Sequence, residues 1–139
     1  MTNILFVDSV AIWAFFDAGD RHHRAASDCF EKLFEEDARF LLTDSIFTEV
    51  VTGLRMRAGH RHAVKAGETL RGNKRFFIAD VEWSTRDRAW AIFRRYDKLR
   101  LSLTDCLSCA VMKERRIDRI FTFDNDFTIL GCNIVPGLS

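Results

Sequence analysis

Short apolar runs recur along the chain at a length typical of buried β-strands. The run Ile4–Val7 is apolar throughout, and four later segments have a similar character. Strands without polar alternation are expected where helices cover both faces of a parallel sheet. The predicted strands are 4–7, 38–43, 75–81, 119–123 and 132–135.

Longer amphipathic segments lie between these runs and repeat their apolar residues with helical spacing. The four stripes are Ala26/Phe30/Leu33/Phe34, Phe47/Val50/Val51/Leu54, Ala89/Ile92/Phe93/Tyr96 and Leu103/Leu107/Ala110/Val111. We expect nearly all of these residues to be core, and we expect the same of the three tryptophans Trp13, Trp83 and Trp90. The alternation of strand and helix patterns predicts an α/β sandwich with a mainly parallel sheet of four to five strands.

Residues that favour helix ends flank several of these stripes. Serine, threonine and aspartate side chains can accept hydrogen bonds from the free backbone N–H groups of a first turn, and glycine commonly follows a last turn. The candidate N-caps are Thr43 or Asp44, Ser84 and Ser102, and the candidate C-terminal glycines are Gly59 and Gly72.

The composition fits one domain over residues 1–139. The chain is 47% hydrophobic, which is ample for one core, and its formal net charge is +1. Its apolar runs fall short of the roughly 18 residues that span a bilayer, so we expect no membrane association and a cytoplasmic location. A C-x-x-C pair ends at Cys109, but no second pair or nearby histidine completes a zinc set, so we expect reduced thiols.

Four acidic residues occupy positions where an α/β fold gathers ligands. Asp8 and Asp124 each follow a predicted strand, and the carboxyl ends of parallel strands meet at one edge of the sheet. Asp105 lies near the start of a predicted helix and off its apolar stripe, and Glu49 lies about one turn into another helix. Carboxylates on neighbouring strands repel each other unless a cation lies between them or one is protonated.

A cluster of carboxylates without a predicted lysine favours a hard divalent cation, Mg²⁺ or Mn²⁺. Such an ion lowers the pKa of a bound water and offsets the charge that develops during phosphodiester hydrolysis. The cluster therefore favours a metal-dependent nuclease, with one ion or two.

Each acid also has an ordinary structural explanation. Asp8 or Asp105 could cap a helix, and Glu49 could be a surface residue. A phosphatase of the haloacid-dehalogenase type would need a second acid where Val10 stands, and a response-regulator receiver would need a lysine after the last strand. A third alternative is a catalytically inactive module that binds RNA or protein, although all four acids are present.

The motifs around these acids resemble those of the PIN-domain nucleases, and most closely those of the VapC-type toxins of bacterial toxin–antitoxin pairs. The resemblance covers essentially the whole chain. It rests on I-L-F-V-D-S at 4–9, T-E-V at 48–50, S-L-T-D at 102–105 and T-F-D-N-D-F at 122–127.

The resemblance implies a role for each residue of the cluster. The implied metal ligands are Asp8, Glu49, Asp105, Asp124 and Asp126, and the hydroxyls that would orient carboxylates are those of Ser9 and Thr122. It also implies cleavage of RNA, a homodimer and a cognate antitoxin that covers the active site.

Basic residues are concentrated between Arg55 and Arg75, where Glu68 is the one acid. Such a segment can bind phosphates, and it can equally be a solvated helical face. The resemblance offers no counterpart for it, so it could contact either RNA or the antitoxin. The RNA-binding candidates are Arg55, Arg57 and Arg61.

Overall fold

The fold is built on a five-stranded parallel sheet with the strand order β3-β2-β1-β4-β5. It is seen in a computed structural model that describes residues 3–137. The strands are β1 Ile4–Val7, β2 Arg39–Thr43, β3 Phe76–Ala79, β4 Arg119–Phe121 and β5 Asn133–Val135. The helices are α1 Ser9–Phe16, α2 His23–Glu35, α3 Asp44–Ala58, α4 His60–Gly72, α5 Trp83–Arg95, α6 Leu103–Arg115 and α7 Asp126–Ile129.

All five predicted strands are present, and the predicted fold class is confirmed. β3 and β4 each end two residues earlier than predicted, because the pairing with a neighbouring strand stops at Ala79 and at Phe121. β1 is the central strand, and Leu5, Phe6 and Val7 are completely buried. This burial explains why the strand carries no polar alternation.

The direction of the chain across the sheet reverses between β1 and β4. The chain passes from β1 to β2 and β3 on one side, and then returns to place β4 on the other side of β1. Because β-α-β crossovers are right-handed, α1–α4 lie on one face and α5–α6 on the other. The reversal leaves a crevice beyond the carboxyl ends of β1 and β4, which is where open parallel sheets bind ligands.

The predicted helix ends agree with the structure at most positions. The Thr43 hydroxyl caps α3 by accepting a hydrogen bond from the backbone N–H of Ile46, at 3.2 Å, and Ser102 caps α6. Gly59 follows α3 with a φ of 101°, a conformation that favours glycine. The prediction for Ser84 is wrong, because α5 already begins at Trp83 and the residue with extended backbone before it is Glu82.

Within the predicted α5 stripe, burial is wrong for Phe93, whereas Ile92 and Tyr96 are partly buried and pack against the core. The prediction of burial is also wrong for Trp83 and Trp90. Trp83 is 80% exposed and Trp90 is 52% exposed, and Phe93 is exposed as well. On the adjoining helix α6, Leu103 is exposed too. The side chain of Ala89 does point into the core. Nothing in the described part of the chain covers these exposed side chains.

The contact between α1 and α3 is unusually close. Gly53 lies against the Trp13 indole, and a Cβ at that position would come within 2.7 Å of the ring. The indole N–H donates a hydrogen bond to the carbonyl oxygen of Val50, at 3.2 Å. The two helices that follow β1 and β2 are therefore held together next to the crevice.

No helix among residues 3–137 combines the length and apolar character needed to cross a membrane. All four cysteine thiols are free in the structure.

Candidate active site

Asp8 lies buried at the carboxyl end of β1 and is only 2% exposed. One carboxylate oxygen, Oδ1, accepts a hydrogen bond from the backbone N–H of Ser9 at 2.9 Å, which caps α1. The other oxygen, Oδ2, accepts one from the Thr122 hydroxyl at 2.8 Å. Burial, followed by the charge of Asp105, raises the pKa of Asp8 to about 8. Asp8 is thus both a helix cap and an unusual acid, so the two interpretations of its sequence position are compatible.

Thr122 connects Asp8 to the turn that follows β4. Its hydroxyl oxygen accepts a hydrogen bond from the backbone N–H of Asp124, at 3.0 Å, while the hydroxyl donates to Asp8. One oxygen of Asp124 in turn accepts from the backbone N–H of Asp126, at 2.9 Å. Thr122 is buried, so this chain of bonds fixes the position of the turn relative to β1.

Ser9 links α1 to α3 by a hydrogen bond to an acidic side chain, as Thr122 links the turn after β4 to Asp8. Its hydroxyl donates a hydrogen bond to Oε1 of Glu49, at 2.9 Å, and the serine is buried. Glu49 is thereby drawn toward the crevice and is not an ordinary surface glutamate. The roles that the resemblance implied for Ser9 and Thr122 remain predictions, and both hydroxyls do hold acidic residues in place.

Asp105 lies in the first turn of α6 and approaches the crevice from the opposite face of the sheet. Its Oδ2 accepts a hydrogen bond from the backbone N–H of Ser102, at 2.9 Å, and the Ser102 hydroxyl accepts one from the backbone N–H of Asp105, at 3.1 Å. Burial raises the pKa of Asp105 against the effect of these bonds, and the charges of Asp124 and Glu49 raise it further. The four acids therefore act on one another electrostatically.

This donor set fits a divalent cation. All candidate ligands are carboxylates. Burial, and then mutual repulsion, raises the pKa values of Asp8 and Asp105, and a cation between them would offset both effects. Within residues 3–137, however, no three histidine, cysteine or acidic side chains already form a ready-made metal site. The carboxylates would have to move closer together around an ion, and Asp105 would keep one oxygen on its helix cap.

A polar groove borders Glu49 on α3. Its volume is about 440 Å³, and it lies between the first half of α3 and the start of α6. The residues that line it are Asp44, Ser45, Thr48, Glu49, Thr52 and Thr104. Of these, only Glu49 is predicted from the sequence to be a site residue. The available signal was the spacing of Ser45, Thr48 and Thr52, which places three hydroxyls on the same helix face as that glutamate.

The basic candidates lie at the far end of α3 and the start of α4, and all three are exposed. Arg55 is six residues beyond Glu49, which is about 9 Å along a helix axis. Arg57 makes two contacts within the protein. Its guanidinium lies 4.3 Å from the centre of the Trp13 ring and 3.9 Å from a carboxylate oxygen of Asp20. The basic segment is therefore beside the acidic cluster and not part of it, and Arg57 differs from Arg55 and Arg61.

Comparison with known proteins identifies the family. A family model described as the PIN domain matches residues 5–131. The chain belongs to the PIN domain family. This PIN domain is 30% identical over 129 residues to the 23S rRNA-specific endonuclease VapC20 of Mycobacterium tuberculosis, with 92% of this chain and 95% of that protein covered.

Solved structures agree with this assignment. The crystal structure of M. tuberculosis VapC20, described as a sarcin–ricin loop cleaving toxin, superposes with a TM-score of 0.81 at 29% identity and covers 93% of this chain and 95% of that one. VapBC2 from Rickettsia felis, bound to a DNA fragment from its promoter, shares the fold with a TM-score of 0.70 at 10% identity, covering 94% and 96%. The predicted PIN fold and VapC-type nuclease class are confirmed, and PIN-domain nucleases generally depend on divalent metals.

Proposed function

We propose that this PIN domain hydrolyses RNA phosphodiester bonds with Mg²⁺, or Mn²⁺ in its place, bound among its carboxylates. The observation that carries the proposal is the environment of Asp8. A buried carboxyl group with both oxygens hydrogen bonded, and with a pKa raised to about 8 by burial and by Asp105, is energetically unfavourable as an anion on its own. A bound cation removes this penalty.

The proposed ion ligands are Asp8, Glu49, Asp105, Asp124 and Asp126. When bound, the ion would lower the pKa of a coordinated water and stabilise the negative charge of the reacting phosphate. The protein's own contribution is orientation. Ser9 holds Glu49, and Thr122 holds both Asp8 and the turn that carries Asp124, so the acids keep their positions while the RNA binds.

The proposed substrate is a structured RNA loop, with the sarcin–ricin loop of 23S rRNA as the first to test. The support is the similarity to VapC20 over nearly the whole of both chains. Arg55 and Arg61 are exposed, at the end of α3 and the start of α4, and would bind phosphates of the RNA that flanks the cut.

The test is to incubate the protein with a synthetic sarcin–ricin loop RNA and with an unrelated hairpin, in Mg²⁺, in Mn²⁺ and in EDTA. We expect one main cut in the first RNA, none in EDTA, and a loss of at least about 100-fold in rate for Asp8→Asn. Asp28→Asn makes the same substitution at an exposed position on α2 and should cleave normally. Cleavage by Asp8→Asn at the normal rate would exclude this active site, and a binding but uncleaved RNA would favour the inactive module.

Two protein partners are part of the proposal. The first is a cognate antitoxin, supported by the toxin–antitoxin complexes among the structural neighbours. The purified product of the adjacent reading frame should then inhibit cleavage at a one-to-one ratio. The second is another copy of this chain, supported by the exposed apolar face that α5 and Leu103 form.

A further inference from the structure

The groove beside Glu49 differs chemically from the acidic cluster, and we propose that it binds the ribose of a nucleotide next to the scissile phosphate and contacts its 2′-hydroxyl. We call it the hydroxyl groove. It is lined by Asp44, Ser45, Thr48, Glu49, Thr52 and Thr104. The proposal rests on the proposed function and assigns one part of the substrate to one part of the surface.

The groove runs along one face of α3. Ser45, Thr48 and Thr52 have the spacing i, i+3, i+7, and Glu49 lies beside them on that face. Thr104, at the start of α6, closes the other side. The volume of about 440 Å³ is large compared with the roughly 30 Å³ that one water occupies, so the groove has room for a sugar.

The hydroxyl groups in the groove are available to a ligand. Serine and threonine within helices commonly donate to the carbonyl one turn earlier, as Ser108 does to Thr104 at 3.1 Å and Thr69 does to Lys65 at 2.8 Å. Among residues 3–137, no such bond is made by the hydroxyls that line the groove, which are those of Ser45, Thr48, Thr52 and Thr104. Groups that donate and accept are therefore presented to whatever enters.

The charges in the groove favour a sugar over a phosphate. The carboxylates of Asp44 and Glu49 repel an anion and accept hydrogen bonds from neutral hydroxyls. The Arg86 guanidinium lies 3.6 Å from a carboxylate oxygen of Asp44 and offsets part of its charge. Because Arg86 is paired with Asp44, it does not offer a free cation to a phosphate. A ribose 2′-hydroxyl both donates and accepts, which matches a site of carboxylates and hydroxyls.

Arg55 extends the same helix face. Thr48, Thr52 and Arg55 follow i, i+4, i+7, so an exposed cation stands at the far end of the groove. Along α3, Glu49 lies between Thr48 and Thr52, and Arg55 follows three residues after Thr52. An RNA strand lying on this face would place the scissile phosphate at the acids, the neighbouring ribose in the groove and a further phosphate at Arg55.

The experiment uses single 2′-deoxy substitutions in the sarcin–ricin loop RNA, placed in turn at each nucleotide of the loop. For the wild-type protein, one position should lower kcat/KM by about three- to tenfold, the effect of one or two lost hydrogen bonds. The variant T48V/T52V removes two hydroxyls without changing side-chain shape at exposed positions. It should lower kcat/KM on the all-ribose RNA by a similar factor. The 2′-deoxy penalty, which is the ratio of kcat/KM on the all-ribose RNA to that on the 2′-deoxy RNA, should fall to less than about twofold in this variant. Thr69→Val, on α4, is the matched control.

A second readout keeps this inference separate from the proposed function. The dissociation constants of the same RNAs, measured in EDTA, should show the same penalty in the wild type and its loss in T48V/T52V. A full-sized 2′-deoxy penalty in T48V/T52V, or no penalty in the wild type at any position, would overturn the groove assignment even if cleavage is normal. A penalty in binding that T48V/T52V abolishes would support the groove even if no RNA is cut.

Discussion

Asp8 is both the N-cap of α1 and one of the acids of the candidate active site. It caps α1 through Ser9, and it is the most deeply buried of the acids at the crevice. The same hydrogen bonds that cap the helix favour the ionised form, yet burial and Asp105 outweigh them and raise the pKa to about 8. In the absence of metal, the folded protein therefore retains a proton that the unfolded chain releases.

The first prediction follows from this difference. The pKa of Asp8 rises from an ordinary 3.8 in the unfolded chain to about 8 in the folded protein, so stability without metal should fall as the pH rises between those values. Asp8→Asn removes the free-energy cost of ionising this buried carboxyl group. We expect the variant to be more stable than wild type at pH 8 by roughly 1 kcal/mol or more, about 4 °C in Tm, with the difference fading toward pH 5. Thermal unfolding in EDTA from pH 5 to 9 measures it, and a difference independent of pH would contradict the explanation.

Residue positions were readable from the sequence where a strand or helix end fixes them. Asp8 and Asp124 follow strands, and Asp105 opens a helix, so their convergence could be inferred. Ser9 and Thr122 were named as orienting hydroxyls only through the family resemblance. Which carboxylate each one binds could not be inferred, because the bond between Ser9 and Glu49 joins residues 40 positions apart and depends on how α1 packs against α3. The groove was missed because its threonines look like ordinary solvent-facing residues until α6 is placed opposite them.

Helix α3 uses three of its faces for different purposes. Its apolar face, with Val50 and Leu54, is buried in the core. A second face receives Trp13 at Gly53, and a third carries the hydroxyl groove toward Arg55. Arg55 and Arg57 are two residues apart in sequence and lie on different faces of α3. The arginines of the basic segment therefore do not all face the same surface.

The second prediction separates these two arginines. Arg55→Gln should weaken RNA binding and reduce the slope of log Kd against log salt by about 0.7, the value for one phosphate contact with a single strand. Arg57→Gln should change the slope less and should lower stability by about 0.5–1 kcal/mol, because it removes the contacts with Trp13 and Asp20. Titrations at several salt concentrations and thermal unfolding measure both. Equal slopes in the two variants would show that both arginines, or neither, contact RNA.

At the level of elements, hydrophobic patterning predicted which segments are strands and helices but not which surfaces meet. All five strands and the caps at Thr43 and Ser102 were correct, because they depend on local sequence. Ser84 was wrong as the N-cap because the N-cap of α5 lies two residues earlier, at Glu82, whose side chain makes no capping hydrogen bond. The order of strands, with β4 beside β1, has no local signature.

The whole molecule leaves one large apolar face uncovered. Trp83, Trp90 and Phe93 of α5, with Leu103 of α6, are exposed together. A stripe of this kind has the periodicity of core, which is why the sequence suggested burial. The proposed homodimer explains the discrepancy, since the second copy would cover what the chain itself does not.

The third prediction tests that explanation. The double variant Trp83→Glu and Trp90→Glu places charges on the apolar face and should shift a dimeric protein toward monomer by at least about tenfold in the dimer dissociation constant. Sedimentation equilibrium measures this. Met56→Glu changes a side chain that is also 80% exposed, but on α3, and should leave the oligomeric state as it was. A monomeric wild-type protein would contradict the homodimer, and a variant that dimerises as tightly as wild type would place the interface elsewhere.

The absence of a side chain at position 53 has a mechanical consequence for catalysis. Because Trp13 rests directly on the α3 backbone and is tied to Val50, the beginning of α1 cannot slide along α3. Ser9 lies on α1 and Glu49 lies on α3. Because the contact at Gly53 fixes the distance between these helices, it also fixes the geometry of the hydrogen bond between Ser9 and Glu49. The relative position of Ser9 and Glu49 is therefore set in part by a contact outside the proposed active site, and a substitution at Gly53 would alter that position without changing any carboxylate.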